Sequence, residues 1–170
     1  MLGRGSTRGV TGQRIVVFVV VAVAVAFLAC AFTRPASARV SPEAARAHRA
    51  RVVRRVRRVV HVAVKQLGVP YVWGGESRSG FDCSGLVRYV YRRVGISLPH
   101  YTVSQFQRGT PVALRHLKPG DLLFFYGLGH VGLYIGQGLL VHAPHAGTRV
   151  TVARLASYAG RVSGARRLIH

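Results

Sequence analysis

The chain has 170 residues, which is enough for one domain and a terminal appendage. Its 25 lysines and arginines outnumber four acidic residues, so the formal net charge at pH 7 is +21, a balance that favours polyanionic partners. Of the two cysteines, Cys30 lies in an apolar N-terminal segment and Cys83 in the body of the chain, which excludes an intramolecular disulfide if that segment is removed.

The first 38 residues have the pattern of a Sec-type signal peptide. Three arginines precede an uncharged apolar run over 15–32, and Ala36-Ser37-Ala38 offers small residues for cleavage after Ala38. An uncleaved membrane anchor is an alternative, because the run is about long enough to cross a bilayer. A lipoprotein acylated at Cys30 is another. Under all three interpretations the remainder is exported, so we expect a secreted or cell-wall location, with 15–32 as the anchor if it is retained.

Export changes the candidate partners of so basic a chain. Removal of residues 1–38 takes away four arginines and no acid, which lowers the net charge from +21 to +17. Nucleic acid is then not expected, and anionic wall polymers or the membrane surface replace it as electrostatic partners.

Residues 39–51 are polar and rich in alanine and arginine, and we expect a basic, loosely ordered lead-in. Ser41-Pro42-Glu43 is nevertheless typical of a helix start. Apolar residues recur at helical spacing from Val52 to Leu67, and glycine and proline then end the run. The arginines on the opposite face indicate either a solvated surface or a contact with wall or membrane. We take 52–170 as the folded domain.

Two more helices are predicted, one beginning near Cys83 and ending at Gly95, and a short one from Thr102 to Arg108. After the turn at 119–121 the apolar period becomes that of strands. Strands are predicted over 122–126, 131–135, 139–143, 149–153 and 165–169. Helices followed by an antiparallel sheet predict an α+β fold.

A thiol in the first turn of a helix is placed where the helix dipole and a neighbouring imidazolium stabilise the thiolate. Cys83 has this predicted placement. His130 begins one predicted strand and His142 ends the next, so a hairpin would bring the two rings together. Cys83 is therefore the candidate nucleophile, His130 the candidate base, and His142 the candidate residue that orients His130.

Other interpretations of these residues remain open. A lone cysteine is often a small buried hydrophobe, and a histidine after glycine is often only a loop residue. Cys83, His130 and His142 lack the C-x-x-C or H-x-x-x-H spacing of zinc sites, so we expect neither a metal nor a cofactor. We interpret the remaining histidines as surface or helix-face residues: His48, His61, His100, His116, His145 and His170.

Five blocks occur in order along the chain: PYVWGG at 70–75, FDCSGLV at 81–87, PGDLLFF at 119–125, HVGLYIG at 130–136 and VHAP at 141–144. Together they resemble the motifs of the NlpC-type cell-wall endopeptidases, papain-like cysteine peptidases of bacteria that cut peptidoglycan stem peptides. The resemblance covers roughly residues 55 to 169. It implies a papain-like fold, with N-terminal helices packed on a small antiparallel sheet and the nucleophile at a helix N-terminus.

The resemblance also implies roles for single residues. Cys83 would be the nucleophile, His130 the general base and acid, and His142 the orienting residue. Tyr71 would place its hydroxyl beside Cys83 and help to stabilise the oxyanion. Asp82 and Ser84 would line the subsite for the stem peptide. The chain departs from the family at His100-Tyr101-Thr102, where relatives usually have Arg-Thr-Ser, and this departure bears on substrate preference.

These observations predict a secreted, monomeric cysteine endopeptidase of peptidoglycan. The resemblance implies cleavage of the γ-D-glutamyl to diaminopimelate bond, in wall remodelling or daughter-cell separation. Two alternatives are kept: a non-catalytic basic protein that binds wall or membrane, and a cysteine amidase or acyltransferase on the same scaffold.

Overall fold

The computed structural model describes residues 41–170, so the predicted signal segment and its apolar run at 15–32 lie outside the described residues. Within residues 41–170, no helix combines the length and the apolar character needed to cross a membrane. Residues 42–170 form one compact unit.

The first helix, α1 (Pro42–Val64), begins where the serine, proline and acid signature predicted. The expectation of a loosely ordered segment was wrong from residue 42 onward, because no helix breaker interrupts the alanines and arginines before the apolar face begins. Residues 42–51 are exposed, and the helix buries Val59 and Ala63 against the rest of the domain. The basic lead-in is therefore a helical extension of the domain.

A small hairpin and two helices follow α1. Strand β1 (Glu76–Ser77) pairs with β2 (Gly80–Phe81) in an antiparallel two-stranded sheet that sequence analysis did not anticipate. Helix α2 (Cys83–Arg92) starts two residues after this hairpin and is buried along most of its length. Helix α3 (Thr102–Phe106) is short.

The remaining strands form one antiparallel six-stranded sheet in the spatial order β3-β8-β4-β5-β6-β7. Its central members are the strands predicted from the apolar runs, whereas the edge strand β3 was not predicted. Single 3-10 turns at Leu114–His116 and Leu155–Tyr158 connect parts of it. The strands are β3 (Thr110–Pro111), β4 (Leu122–Phe125), β5 (His130–Gly136), β6 (Leu139–His142), β7 (Thr151–Arg154) and β8 (Val162–Arg167).

Alternating side chains of the sheet fill two separate apolar clusters. Leu122, Phe124 and Val131 face the cluster that contains the buried side chains of α1 and α2, and Leu123 and Phe125 face the cluster on the other side of the sheet. Helix α2 packs directly on β5. Because α2 begins with Cys83 and β5 begins with His130, the packing of the helix on the strand is what relates these two residues in the fold. The α+β, papain-like fold that the sequence predicted is confirmed.

Candidate active site

Cys83 occupies the first position of α2, and Asp82 caps the helix. The cap residue has extended backbone (φ −90°, ψ 177°), and its Oδ1 accepts a 2.6 Å hydrogen bond from the Gly85 amide. The Ser84 hydroxyl donates to the same oxygen over 2.9 Å. Aspartate is among the preferred N-cap residues because it satisfies backbone N–H groups that have no partner inside the helix. The motif Asp82-Cys83-Ser84-Gly85 thus encodes a sharply defined helix start.

Two glycines let the preceding loop lie against this helix start. The Asp82 amide donates to the Gly75 carbonyl over 3.0 Å, and the Gly74 amide donates to Asp82 Oδ2 over 3.0 Å. A Cβ atom at Gly85 would lie only 2.0 Å from the Gly75 carbonyl oxygen, so no larger residue fits there. The loop, the cap and the first turn of α2 therefore form one hydrogen-bonded unit around Cys83.

His130 and His142 lie on adjacent strands and are in direct contact. The strands pair with Leu133 opposite Val141, which places the start of β5 near the end of β6. His130 Nε2 lies 2.9 Å from His142 Nδ1, and both residues are buried. His142 Nε2 in turn lies 3.4 Å from the hydroxyl of Tyr158. Sequence analysis did not single out Tyr158, which reaches the site from the 3-10 turn after β7, and no local motif marks it.

Burial sets the protonation state of the two histidines. Burial, followed by the neighbouring His142 and His145, lowers the pKa of His130 to about 4. Burial, followed by His145, also lowers the pKa of His142 to about 4. Removing an imidazolium from water disfavours its charged form, and a second positive charge nearby adds to the effect. Both rings are therefore neutral at pH 7, as a base and its hydrogen-bonding partner must be.

The pKa of the Cys83 thiol moves in the opposite direction from the expectation of a stabilised thiolate. Burial raises the pKa, the backbone N–H of Val131 opposes this by favouring the thiolate, and the Asp82 carboxylate raises it again. Cys83 does lie at the start of a helix, but desolvation and the adjacent Asp82 carboxylate raise its pKa by more than the backbone N–H groups lower it. At neutral pH Cys83 is therefore a protonated thiol, and a base must remove its proton before the sulfur can attack.

A cleft of about 460 Å³ opens beside Cys83. Tyr71 lines it, and burial, then the negative charges of Cys83 and Asp82, raise the pKa of the Tyr71 hydroxyl. This coupling indicates that the hydroxyl is near the thiol and remains a protonated donor. Trp73 and Tyr126 line the same cleft with exposed rings. The cleft therefore offers an aromatic, open surface to an extended ligand.

The loop before His130 forms one wall of the cleft and has unusual backbone geometry. Tyr126 and Leu128 adopt φ values of 54° and 76°, a left-handed conformation that side-chain-bearing residues rarely take. Gly127 between them has φ 63°. Non-glycine residues held in this region concentrate at functional sites, where the surrounding structure imposes the strain. This tight turn delivers the chain into β5 at His130.

The structure places the six residues that the sequence marked in two groups. Cys83, Tyr71, Asp82 and Ser84 line the cleft, and His130 and His142 are buried in contact with each other. Asp82 and Ser84 are also bound to each other at the helix cap, so both have an internal structural role. Among residues 41–170, no group of three histidine, cysteine, aspartate or glutamate side chains has an arrangement that could hold a metal ion.

His100 differs from its interpretation as a surface residue. Its Nε2 lies 2.9 Å and 3.0 Å from the two oxygens of Asp82, and its Nδ1 lies 3.6 Å from Glu76. The sequence signal was present in the departure at 100–102, but only the fold shows that this loop returns to the cap of α2.

The sequence pattern of the NlpC/P60 family matches residues 68–167 of this chain. A probable endopeptidase of Mycobacterium tuberculosis is 47% identical over 110 residues, which cover 64% of this chain and 28% of the relative. The peptidoglycan endopeptidase RipA of the same organism is 39% identical over 110 residues, covering 56% of this chain and 23% of RipA. The chain thus spans about a quarter of the length of these curated relatives.

Solved structures give the same similarity in three dimensions. The NlpC/p60 domain of the peptidoglycan hydrolase SagA superposes with a TM-score of 0.62 at 40% identity, covering 66% of this chain and 98% of that domain. The peptidoglycan hydrolase RipB of M. tuberculosis superposes with a TM-score of 0.66 at 36% identity, covering 72% of this chain and 68% of the RipB chain.

Proposed function

Because the chain belongs to the NlpC/P60 family, we propose that it is an exported cysteine endopeptidase that hydrolyses peptidoglycan stem peptides. The observation that carries the proposal is the position of Cys83: it starts α2 at the cleft, where α2 packs on the strand that begins with His130, and His130 is bound to His142 over 2.9 Å. The relatives named as peptidoglycan endopeptidases and hydrolases supply the substrate class.

The contact between the two histidines indicates which nitrogen of His130 would accept the thiol proton. His130 Nε2 is occupied by His142, so Nδ1 is the ring nitrogen left to take a proton. When Nε2–H donates to His142 Nδ1, His130 Nδ1 is the unprotonated acceptor. Cys83 Sγ then attacks the scissile carbonyl carbon while its proton passes to His130 Nδ1. His142 holds the ring and stabilises the imidazolium that forms.

His130 also carries the protons in the remaining steps of the cycle. His130 passes the thiol proton to the nitrogen of the leaving amine, the C–N bond breaks, and a thioester to Cys83 remains. Water then attacks the thioester carbonyl and His130 takes a proton from the water. When the C–S bond breaks and the acid leaves, His130 returns this proton to the sulfur of Cys83, which restores the thiol and the neutral ring. Tyr71 and the backbone N–H of Cys83 would donate hydrogen bonds to the oxyanion of each tetrahedral intermediate.

The cleft and the family together suggest how the substrate binds and which bond is cut. We propose that the stem peptide lies along the cleft past the exposed aromatic rings, with Asp82 and Ser84 at the floor of its subsite. The bond cleaved would be the γ-D-glutamyl to diaminopimelate bond, in wall remodelling or daughter-cell separation, by a monomer without metal or cofactor. Residues 1–38 would act as the signal peptide or, if retained, as the membrane anchor.

Helix α1 favours a second candidate function, binding to an anionic wall polymer or membrane surface. Residues 42–51 are exposed, and none of the salt bridges within residues 41–170 involves an arginine of α1. The exposed arginines of the helix are Arg46, Arg49, Arg51, Arg54, Arg57 and Arg58. Such a surface can attach the enzyme to its insoluble substrate or, if Cys83 has no catalytic role, can be the whole function.

One experiment separates these functions. Purified peptidoglycan is incubated with the wild type and with Cys83→Ala, and bound protein and released peptide are measured at low and high salt. The endopeptidase proposal expects peptide release by the wild type alone, with equal binding of both proteins. Binding that is lost at high salt, without peptide release by either protein, would leave only the electrostatic function. A trapped thioacyl intermediate on Cys83 whose acyl group does not come from peptidoglycan would indicate the amidase or acyltransferase alternative.

A further inference from the structure

Three charged side chains and His100 form a continuous chain of contacts beside the nucleophile. Arg88 of α2 pairs with Glu76 of β1, and Glu76 lies 3.6 Å from Nδ1 of His100. His100 Nε2 reaches both oxygens of Asp82, the residue that caps α2 immediately before Cys83. This series of contacts begins at Arg88 of α2 and ends at Asp82, the cap of α2. It therefore connects the β1–β2 hairpin and the loop at His100 to the start of that helix.

The contact between His100 and the helix start is closely fitted. A Cβ atom at Gly85 would lie 2.8 Å from His100 Nε2, so the imidazole approaches α2 only because residue 85 is glycine. Asp82 is buried, and the side chain of His100 is 22% exposed. Charge interactions in such partly buried surroundings are stronger than those between fully solvated groups.

The charges on this contact act on the thiol. The Asp82 carboxylate disfavours the thiolate of Cys83, since both are negative and adjacent in the chain. The charged groups that face His100 are Asp82 from the helix cap and Glu76 from β1, with Arg88 bound to Glu76. A protonated imidazole carries a hydrogen on each nitrogen, and both nitrogens of His100 face a carboxylate. A positive charge at this position would offset the negative charge of Asp82.

We infer that His100 is a positioning residue for the reaction: it holds the Asp82 carboxylate on the cap of α2 and balances its charge, so that the Cys83 thiolate forms more readily. This inference deepens the proposed function, because it concerns the reactivity of the same thiol. His100 acts through Asp82 and needs no contact with the substrate.

The test measures the thiol directly and needs no peptidoglycan, so its result is independent of whether the substrate proposal holds. The full-length wild type and the variants His100→Arg, His100→Gln and His100→Ala are alkylated with iodoacetamide from pH 6 to 10. The rate is read by mass spectrometry from the peptide that contains Cys83, which separates it from Cys30. His61→Ala is the matched control, since His61 is an exposed histidine of α1 that does not line the cleft.

The expected result separates charge from geometry. His100→Ala and His100→Gln should slow alkylation at pH 7 by about threefold or more and move the rate profile to higher pH, because glutamine donates a hydrogen bond without charge. His100→Arg should keep the wild-type rate within about twofold, since it restores the positive charge. A wild-type profile for His100→Gln would overturn the inference. If His100→Ala fails to fold, as checked by circular dichroism, the glutamine and arginine variants decide the question by themselves.

Discussion

His130 Nε2 and His142 Nδ1 are joined by a 2.9 Å hydrogen bond between two buried, neutral rings. The bond fixes the orientation of His130 and leaves its Nδ1 available as a base. Replacing His142 by alanine should therefore lower kcat/KM for a stem peptide by on the order of 10²-fold, with a smaller change in KM, because orientation matters most in the transition state.

Two further variants make that prediction specific. His142→Asn keeps a polar side chain that can meet His130 Nε2 and should retain more activity than His142→Ala. Tyr158→Phe removes only the hydroxyl 3.4 Å from His142 and keeps the ring packing, so we expect a loss of only a few-fold. Equal activity of His142→Ala and the wild type would contradict an orienting role for His142.

The decline of kcat/KM at low pH should follow the protonation of His130. Burial lowers the pKa of His130 from 6.5 to about 4, and only the neutral ring can accept the thiol proton. Activity should therefore persist as the pH falls through 6 and should decline only toward pH 4. Measuring kcat/KM on a soluble stem peptide from pH 3.5 to 8 tests this, and a decline centred near 6.5 would show that His130 is not desolvated as described.

The same histidines should make the fold sensitive to acid. Their folded-state pKa values of about 4 lie below the unfolded value of 6.5, so between these limits the unfolded chain binds protons that the folded chain does not. Stability that is complete above pH 6.5 is thus lost as the pH falls toward 4, by on the order of a few kcal/mol for the pair. Urea denaturation at pH 7, 6, 5 and 4.5 measures the slope.

A double variant serves as the control for that slope. His130→Gln with His142→Gln removes both titrating rings while keeping polar side chains in the site, so its unfolding free energy should change less between pH 6.5 and 4.5. An identical slope in the double variant and the wild type would assign the acid sensitivity to other groups.

The ion pair between Arg167 and the buried Asp121 should contribute substantially to the stability of the domain. Arg167 donates from Nε and Nη2 to the two oxygens of Asp121 over 2.8 Å and 2.7 Å, and Asp121 is 1% exposed. Replacing Arg167 by methionine leaves this carboxylate without its charge partner, which should cost about 3–5 kcal/mol of unfolding free energy. Arg154→Met, at an exposed residue of β7, should change it by less than about 0.5 kcal/mol.

Much of this arrangement could be predicted from sequence because it depends on local pattern. The sequence predicted a helix that begins near Cys83, and two successive apolar runs, the first beginning near His130 and the second ending near His142, predicted the hairpin that brings these two rings together. The reactivity of Cys83 was harder to predict, since burial and the Asp82 charge are properties of the assembled fold. The contacts of Tyr158 and His100 connect positions 16 and 18 residues apart across loops that carry no periodic signal, so only the tertiary structure reveals them.

At residues 42–51 the sequence was interpreted as less ordered than the structure shows. The polar composition suggested a loosely ordered segment, although Ser41-Pro42-Glu43 already indicated a helix start. Alanine and arginine are both good helix formers, and their strong propensity continues the helix beyond its packed face.

The central claim is that Cys83 cleaves a stem peptide, and product analysis of a defined substrate tests it most directly. A stem peptide containing the γ-D-glutamyl to diaminopimelate bond is incubated with the wild type, with Cys83→Ala and with His130→Gln, and the products are weighed by mass spectrometry. The account predicts one new pair of fragments, ending at glutamate and beginning at diaminopimelate, from the wild type alone. The same fragments at the same rate from Cys83→Ala, or an intact peptide with all three proteins, would contradict it.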